Sequence, residues 1–414
     1  MPSIPSPETA AAYSLLTAEA VRARAHHMLA LGLDGALPHF RIDLDRMGAT
    51  TDLVLATTRA AYPALDVPLH ARWRHFTAAG EDRWRSLVAA ANLKDRAALA
   101  RAAFDLAIVS VLLDAGAGPD WTFHDERSGQ RIGHSEGLAL ASLATFSQGV
   151  FSCDPGDPLR ADATALRQLD PAALQRGLQI SGRNRLPGLE GRCDVLHRLG
   201  DAVAAAPEIF GRLDRPRPGG LFDHIAALAV DRRIAAPVIL SQLLLHLGPI
   251  WPSRLNLGGV ALGDCWRHPA LTTKDATTNL IPLHKLTQWI AYSLIEPLQA
   301  AGLEVADIDG LTGLAEYRNG GLFVDTGVLV LHEGDAAIVH DVADPLVVEW
   351  RALTVALLDR LAPLLRERLG LDAASFPLAK VLQAGTWAAG RRIAQERRTG
   401  GSPPIRVASD GTVF

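Results

Sequence analysis

Residues 310–324 read GLTGLAEYRNGGLFV, a stretch that carries four polar side chains through a segment otherwise suited to burial. Glu316, Tyr317, Arg318 and Asn319 stand together, with leucines before them and a Leu-Phe-Val run after them. Burying a carboxylate or a guanidinium is costly unless the charge is paired. Two interpretations stay open here: a structural ion network around Glu316 and Arg318, or an active-site carboxylate.

The size and composition of the chain predict a large globular protein with a cleft. Its 414 residues are 48% hydrophobic, and a chain of this length exceeds what one core normally holds. We expect one continuous two-lobed unit, with an N-terminal helical region at residues 1–110 and a core with the catalytic cleft at residues 111–414. The formal net charge of −4 argues against a broad nucleic-acid surface.

Cysteine usage and the pattern of apolar residues predict a cytoplasmic protein. Cys153, Cys193 and Cys265 are odd in number, far apart and without metal-ligand spacing, which indicates a reducing compartment. The first residues have neither the basic nor the apolar region of a signal peptide. The longest apolar runs are too short to cross a bilayer, so we expect no membrane partner. Oligomeric state is left open.

Hydrophobic periodicity predicts a mainly α fold with small β-hairpins. The C-terminal half of one predicted helix, at residues 106–113, is apolar on all sides and should be buried. No strands alternate with helices, which disfavours a parallel α/β sheet. Hairpins are predicted at residues 121–132 and 328–340, and a linker at residues 215–220. Helices are predicted at residues 8–33, 81–92, 95–113, 133–146, 229–247, 283–300, 345–369 and 379–397.

Common catalytic motifs are scarce. The sequence contains no P-loop, no dinucleotide-binding glycine motif, no HExxH and no CxxC. Residues 133–137, GHSEG, match the nucleophile elbow of serine hydrolases, which needs a strand before the serine. Only a hairpin precedes it here, so a helix N-cap explains Ser135 better than catalysis does. Glu136, in the first helical turn, is a candidate to line a pocket.

A second polar segment is IPLHKLTQW at residues 281–289. Pro282 is expected to start a helix, which brings His284, Lys285 and Gln288 near one face. Lys285 is then either a surface residue or a functional ammonium that faces a carboxylate. Two further clusters, VEWR at 348–351 and GTWAAGR at 385–391, supply Trp and Arg of the kind that hold a ribose, a base or a phosphate.

Several of these segments resemble the uracil-catabolism protein family of fungi and bacteria, formerly a domain of unknown function. The family works in a pathway that degrades uracil to urea, and the resemblance therefore implies that role. His134 departs from the family pattern, where arginine is expected. The matching segments lie at residues 110–118, 135–137, 248–254, 282–289, 311–321, 349–354 and 409–414.

A weaker resemblance suggests a mechanism. The LHKLTQ and LTGLAEYR segments are similar to those of the queuosine-salvage nucleotide glycosylases, which cleave an N-glycosidic bond. That likeness implies an all-helical fold related to helix-hairpin-helix DNA glycosylases. Glu316 stands where those enzymes have aspartate and Leu286 where they have arginine, so we expect a different base in the substrate.

Together the resemblances imply a hydrolase that frees urea from a ribosylurea or its 5′-phosphate. Glu316 would act at C1′ in one of three ways: it would stabilise the positive charge, attack as the nucleophile or activate a water molecule. Lys285 would hold Glu316 ionised and in place or assist the leaving group. No cofactor or metal is expected, and the only expected partner is a small nucleoside- or nucleotide-derived substrate. The candidate substrate-binding residues are Asp114 and Glu136 for urea, Arg254, Arg318 and Arg391 for a phosphate, Trp387 or Trp121 for stacking, and His284, Gln288, Tyr317 and Asn319.

Two other functions stay open. One is an amidohydrolase that acts on the opened pyrimidine ring through Ser135 or a His/Asp/Glu metal site. The other is a non-catalytic partner of the ring-opening enzyme.

Overall fold

The computed structural model describes residues 6–114, 116–118, 120–211, 215–251, 255–332 and 338–408. Helices dominate this part of the chain, which confirms the predicted mainly α class. In chain order they are α1 (Pro7–Ser14), α2 (Ala18–Leu33), α3 (Met47–Ala61), α4 (Arg83–Ala91), α5 (Arg96–Leu112), α6 (His134–Ser147), α7 (Ala163–Arg167), α8 (Pro171–Gly177), α9 (Leu189–Ala205), α10 (Pro207–Phe210), α11 (Leu221–Leu228), α12 (Ala236–Leu247), α13 (Lys285–Ala300), α14 (Tyr317–Asp325), α15 (Pro345–Leu369), α16 (Leu378–Val381) and α17 (Trp387–Arg397).

Local chemistry explains where several helices begin. Thr17, Asp95 and Asp162 each accept a hydrogen bond from a backbone N–H of the first turn of α2, α5 and α7. The Thr17 cap also divides the helix that we predicted at residues 8–33 into α1 and α2. Helix α15 ends at Gly370 in the left-handed conformation, as helices commonly do.

Two groups of packed helices build the centre of the molecule. Helix α5 packs on α13 and α6, and α15 packs on α2 and α14. Every residue from Ala102 to Leu112 is buried, which confirms the prediction for the apolar half of α5. One hydrophobic core includes side chains from both sides of residue 110, and the division of the chain there stays a prediction. No helix among the described residues is long and apolar enough to cross a membrane.

The strands are short and form only two-stranded pairs in the described ranges. Pairs β1–β12, β2–β3, β4–β5, β7–β8 and β9–β10 are antiparallel, and β6–β11 and β13–β14 are parallel. The strands are β1 (Phe40–Ile42), β2 (Thr77–Ala78), β3 (Glu81–Asp82), β4 (Phe123–Asp125), β5 (Gln130–Ile132), β6 (Arg233–Ala235), β7 (Asn256–Leu257), β8 (Val260–Ala261), β9 (Cys265–Arg267), β10 (Leu280–Pro282), β11 (Glu304–Ala306), β12 (Leu329–Leu331), β13 (Val339–His340) and β14 (Arg406–Val407).

One predicted hairpin is confirmed and the other is wrong. Strands β4 and β5 form the hairpin expected at residues 121–132. The two strands expected to pair at residues 328–340 instead take distant partners, since β12 pairs with β1 and β13 with β14. Their expected turn at 333–335 lies outside the described residues. The alternating pattern that we used identifies a strand but not its partner.

The predicted linker at residues 215–220 packs against α5. The Arg217 guanidinium donates to Asp105 at 2.8 Å from Nε, and both side chains are buried. The Gly219 backbone N–H donates to the other Asp105 oxygen at 2.5 Å. The segment therefore compensates a buried carboxylate of the core.

Candidate functional site

Polar residues from these segments meet in an open cavity. Its walls come from the segment before β2, the end of α5, the start of α6, the first turns of α13 and α14, and α17. The lining residues are His70, His75, Asp114, Gly116, Ala117, His134, Ser135, Leu138, Lys285, Trp289, Leu314, Glu316, Tyr317, Arg318, Trp387 and Arg391.

Glu316 is fixed as the N-cap of α14. One carboxylate oxygen accepts from the Arg318 backbone N–H and the other from that of Asn319, each at 2.6 Å. The side chain is only 8% exposed, and burial raises the pKa of Glu316 although these two bonds and the Lys285 charge oppose the shift. Glu316 therefore satisfies two of the backbone N–H groups that the first turn of α14 would otherwise leave without a partner.

The extended segment before Glu316 is clamped by α13. The Gln288 side chain accepts from the Thr312 backbone N–H at 2.9 Å and donates to the Thr312 hydroxyl. The Tyr292 hydroxyl donates to the Thr312 carbonyl at 3.0 Å. These bonds fix residues 311–316 relative to α13, the helix that carries Lys285.

A buried ion pair joins the same two segments from behind the cavity. Arg351 contacts both oxygens of Asp264 at 2.8 Å and donates to the Ala315 carbonyl at 3.1 Å. Asp264 accepts in turn from the Lys285 backbone N–H at 2.9 Å. Burial opposes ionisation of Asp264, but the Arg351 charge outweighs it and holds the pKa of Asp264 well below its usual range. The pair therefore positions Lys285 and Glu316 together.

Lys285 carries its ammonium into this space without a direct partner. No carboxylate oxygen lies within 4 Å of it among the described residues. Burial lowers the pKa of Lys285, while the carboxylates of Glu316 and then Asp114 oppose that shift. A cation between two acidic groups is therefore available to a bound ligand.

Asp114 forms the opposite wall. One of its oxygens pairs with Arg72 at 3.0 Å, and the other accepts from the Ser135 hydroxyl at 2.9 Å. Burial raises the pKa of Asp114, opposed first by the Arg72 charge. The predicted N-cap role of Ser135 is wrong, because α6 begins one residue earlier and Gly133 occupies the cap.

The open side of the cavity carries the arginines. Arg391 pairs with Glu136 at 3.0 Å and lies over the Trp387 ring, 5.4 Å from its centroid. Arg318 lies over the Tyr317 ring and donates to the Gly401 carbonyl at 2.7 Å. A side chain at Gly390 would overlap the Arg318 carbonyl, so this glycine permits α17 to approach α14 closely. A π-helical turn at Leu382–Thr386 directly precedes Trp387.

Five predicted binding residues lie away from the cavity lining or cannot be placed. His284 is buried, bonds to the Leu15 carbonyl at 3.0 Å and precedes α13 instead of belonging to it. Helix α13 begins only at Lys285, because Pro282 pairs with Cys265 in β10. The helix start expected at Pro282 is therefore wrong. Gln288 clamps Thr312, as described above. Asn319 is buried. Arg254 lies outside the described residues.

Trp121, the alternative stacking residue, is also buried. Its indole N–H donates to the Leu178 carbonyl at 2.8 Å. In the described part of the chain, no three His, Cys, Asp or Glu side chains come together as a metal ion would need.

One wall of the cavity consists of residues that were not predicted from the sequence. His75 and His70 line the cavity from the segment before β2, and Trp289 lines it from α13. Arg72 lies behind them and bonds to His75. His70 stacks on the Trp289 ring with centroids 6.2 Å apart, and His75 meets the same ring edge-on at 5.7 Å. The RWRH run at residues 72–75 was the available signal, since it brings two cationic side chains and an imidazole into a mainly apolar region.

Comparison with known proteins places the chain among relatives of similar length. A family model described as a protein of unknown function (DUF1688) matches residues 14–414. Protein urg3 of Schizosaccharomyces pombe is 38% identical over 419 residues, which cover 99% of this chain and all of that protein. Uracil catabolism protein 4 of Lachancea kluyveri is 36% identical over 419 residues, which cover 92% of this chain and 93% of that protein.

Proposed function

This chain belongs to the DUF1688 family, and on that premise we propose that it is a hydrolase of uracil catabolism that releases urea from a ribosylurea or its 5′-phosphate. The name of the Lachancea kluyveri relative supports the pathway. The reaction rests on one observation: the Lys285 ammonium has no ion-pair partner among the described residues and lies near two buried carboxylates, Glu316 and Asp114.

The proposed reaction breaks the bond between C1′ and the urea nitrogen and forms a bond between C1′ and a water oxygen. Positive charge develops at C1′, and the Glu316 carboxylate stabilises it and accepts a proton from the attacking water. Lys285 donates a proton to the departing nitrogen. Transfer of the proton from Glu316 to Lys285 then restores both groups, so ribose and urea leave with all atoms accounted for.

The pKa directions suit this exchange. Burial raises the pKa of Glu316 and lowers the pKa of Lys285, which brings the two values closer together. A base and an acid work best near neutral pH when their pKa values lie near that pH. Asp114 would accept N–H groups of the urea. Arg318, which forms no ion pair in the described ranges, would contact a phosphate.

The amidohydrolase alternative has less support. A serine nucleophile needs a base that removes its proton. Among the described residues the Ser135 hydroxyl bonds only to Asp114, a carboxylate that is already engaged in an ion pair with Arg72, and no histidine is hydrogen-bonded to the serine.

The direct test is to incubate the purified protein with ribosylurea and with ribosylurea 5′-phosphate and to measure urea. We expect release from at least one substrate, and the ratio of the two kcat/KM values tells whether the arginines bind a phosphate. Ammonia in place of urea would favour the amidohydrolase. No product from either compound would contradict the proposal and favour a non-catalytic partner.

Arg351→Met tests whether the ion pair behind the cavity positions the reacting groups. Leaving Asp264 buried without its partner should lower the free energy of unfolding by about 3 kcal/mol and should also lower kcat. Arg217→Met is the matched control, because it breaks a comparable buried pair with Asp105 away from the cavity. We expect the control to lose similar stability by denaturant unfolding but to keep kcat. Equal kcat in both variants would show that Arg351 only stabilises the fold.

A further inference from the structure

Two histidines line the cavity beside Trp289, and hydrogen bonds fix the tautomer of each. His70 Nδ1 lies 3.0 Å from Oε1 of Gln383, whose amide group donates to the Tyr62 hydroxyl. In this orientation of the Gln383 amide Oε1 faces the ring and can only accept, so His70 Nδ1 carries the proton. Burial lowers the pKa of His70, and the ring is neutral. His70 Nε2 is therefore a hydrogen-bond acceptor.

His75 has the opposite tautomer. Its Nδ1 lies 3.3 Å from Nη1 of Arg72, and a guanidinium can only donate. His75 Nδ1 thus accepts, and its proton resides on Nε2. Burial and then the Arg72 charge hold the pKa of His75 well below its ordinary value of 6.5, so this ring is also neutral.

Both Nε2 atoms are free to bind a ligand. Neither has a hydrogen-bond partner among the described residues. Neither is among the fully buried polar atoms that lack a partner, so both remain accessible from the cavity. Because both rings line the cavity against Trp289, His75 offers it one N–H donor and His70 offers it one nitrogen acceptor. An uncharged planar group with a carbonyl oxygen beside an N–H matches this pair.

We propose that His75 and His70 form the ureido subsite of the cavity: His75 Nε2–H donates to the urea carbonyl and His70 Nε2 accepts from the terminal amide. This inference rests on the proposed function, which puts C1′ at Glu316. Arg72 bonds to both His75 and Asp114, so the histidines lie on the Asp114 side of Lys285, where the leaving group would be.

The tautomers can be measured without any turnover. Long-range ¹H–¹⁵N NMR spectra of histidine-labelled protein at pH 7 distinguish a protonated Nδ1 from a protonated Nε2. His70→Asn and His75→Gln identify the two sets of signals by their loss. We expect His70 protonated at Nδ1 and His75 at Nε2, and the same tautomer in both rings would overturn the proposal.

Ligand binding tests the assignment to urea. Saturation-transfer NMR titrations use N-methylurea as the ureido probe and methyl β-D-riboside as the sugar probe. His75→Phe keeps a ring but removes the donor, and should weaken N-methylurea binding about tenfold without changing riboside binding. His70→Asn keeps a donor toward Gln383 but lacks the Nε2 acceptor, and should do the same. His75→Gln restores a donor near the Nε2 position and should bind nearly as wild type does.

The outcomes separate this inference from the proposed function. Weakened riboside binding in place of N-methylurea binding, or no saturable N-methylurea binding by the wild type, overturns the ureido subsite. Urea release by the wild type with such a binding result would leave the proposed function standing. Selective loss of N-methylurea binding in the histidine variants, with no turnover by the wild type, would support the ureido subsite and contradict the proposed hydrolase activity.

Discussion

Replacing Glu316 with glutamine is expected to lower the kcat of urea release on the order of 10³-fold. Glutamine has nearly the same shape and can still accept one of the two backbone bonds at the start of α14, but it carries no charge to stabilise C1′. It also cannot accept a proton from water. Steady-state kinetics with the preferred substrate measure the effect.

Stability provides the control for this variant. Because burial raises the pKa of Glu316, its ionised form costs the fold stability as the pH rises through that pKa. In Glu316→Gln, loss of the buried charge should raise the free energy of unfolding, and loss of one cap hydrogen bond should lower it. We therefore expect the free energy of unfolding to stay within about 1 kcal/mol of wild type.

The matched control is Asp162→Asn. Asp162 is another buried N-cap that accepts two backbone bonds, from Cys153 and Ala165, but it lies away from the cavity. Burial opposes ionisation there, yet these bonds lower the pKa of Asp162, so its carboxylate stabilises the fold at neutral pH. This control should lose about 1 kcal/mol and keep its activity. An inactive Asp162→Asn or an active Glu316→Gln would contradict the assigned role of Glu316.

The second large effect is expected for Lys285→Met, which should lower kcat on the order of 100-fold and change the pH profile. Activity requires ionised Glu316 and protonated Lys285. The acid limb of the wild-type pH profile should therefore lie above the ordinary Glu pKa of 4.5. The alkaline limb of the same profile should lie below the ordinary Lys pKa of 10.5. The variant should lose the alkaline limb and keep the acid one.

Lys380→Met is the control for the lost lysine. The Lys380 ammonium donates to the Ser375 carbonyl at 3.0 Å and does not line the cavity. Its kcat and both limbs of its pH profile should match wild type. An alkaline limb that persists in Lys285→Met would assign the proton donor to another group.

The sequence predicted the features that depend on neighbouring residues. The apolar half of α5, the bounds of α15 and the hairpin β4–β5 follow from periodicity and turn chemistry, and all three are confirmed. Family membership confirms the resemblance to the uracil-catabolism proteins. The likeness to queuosine glycosylases and DNA glycosylases stays a prediction.

Features that depend on distant contacts were not predictable in the same way. The pairing of β12 with β1 joins residues about 290 positions apart, and no local pattern encodes such a partner. The bonds that fix His75 and Asp114 come from Arg72, whose partners become visible only after packing. Glu316 was recognised as a buried carboxylate, but its cap geometry depends on where α14 begins.

The most direct test of N-glycosidic hydrolysis is ¹³C NMR of the reaction with ribosylurea, or its 5′-phosphate, labelled at the urea carbon. We expect the label to appear in free urea as the free sugar forms, with wild-type protein and not with Glu316→Gln. Label in carbamate or bicarbonate, accompanied by ammonia, would mean that an amide bond was cleaved. That result, or an unchanged substrate with wild-type protein, would contradict N-glycosidic hydrolysis at this cavity.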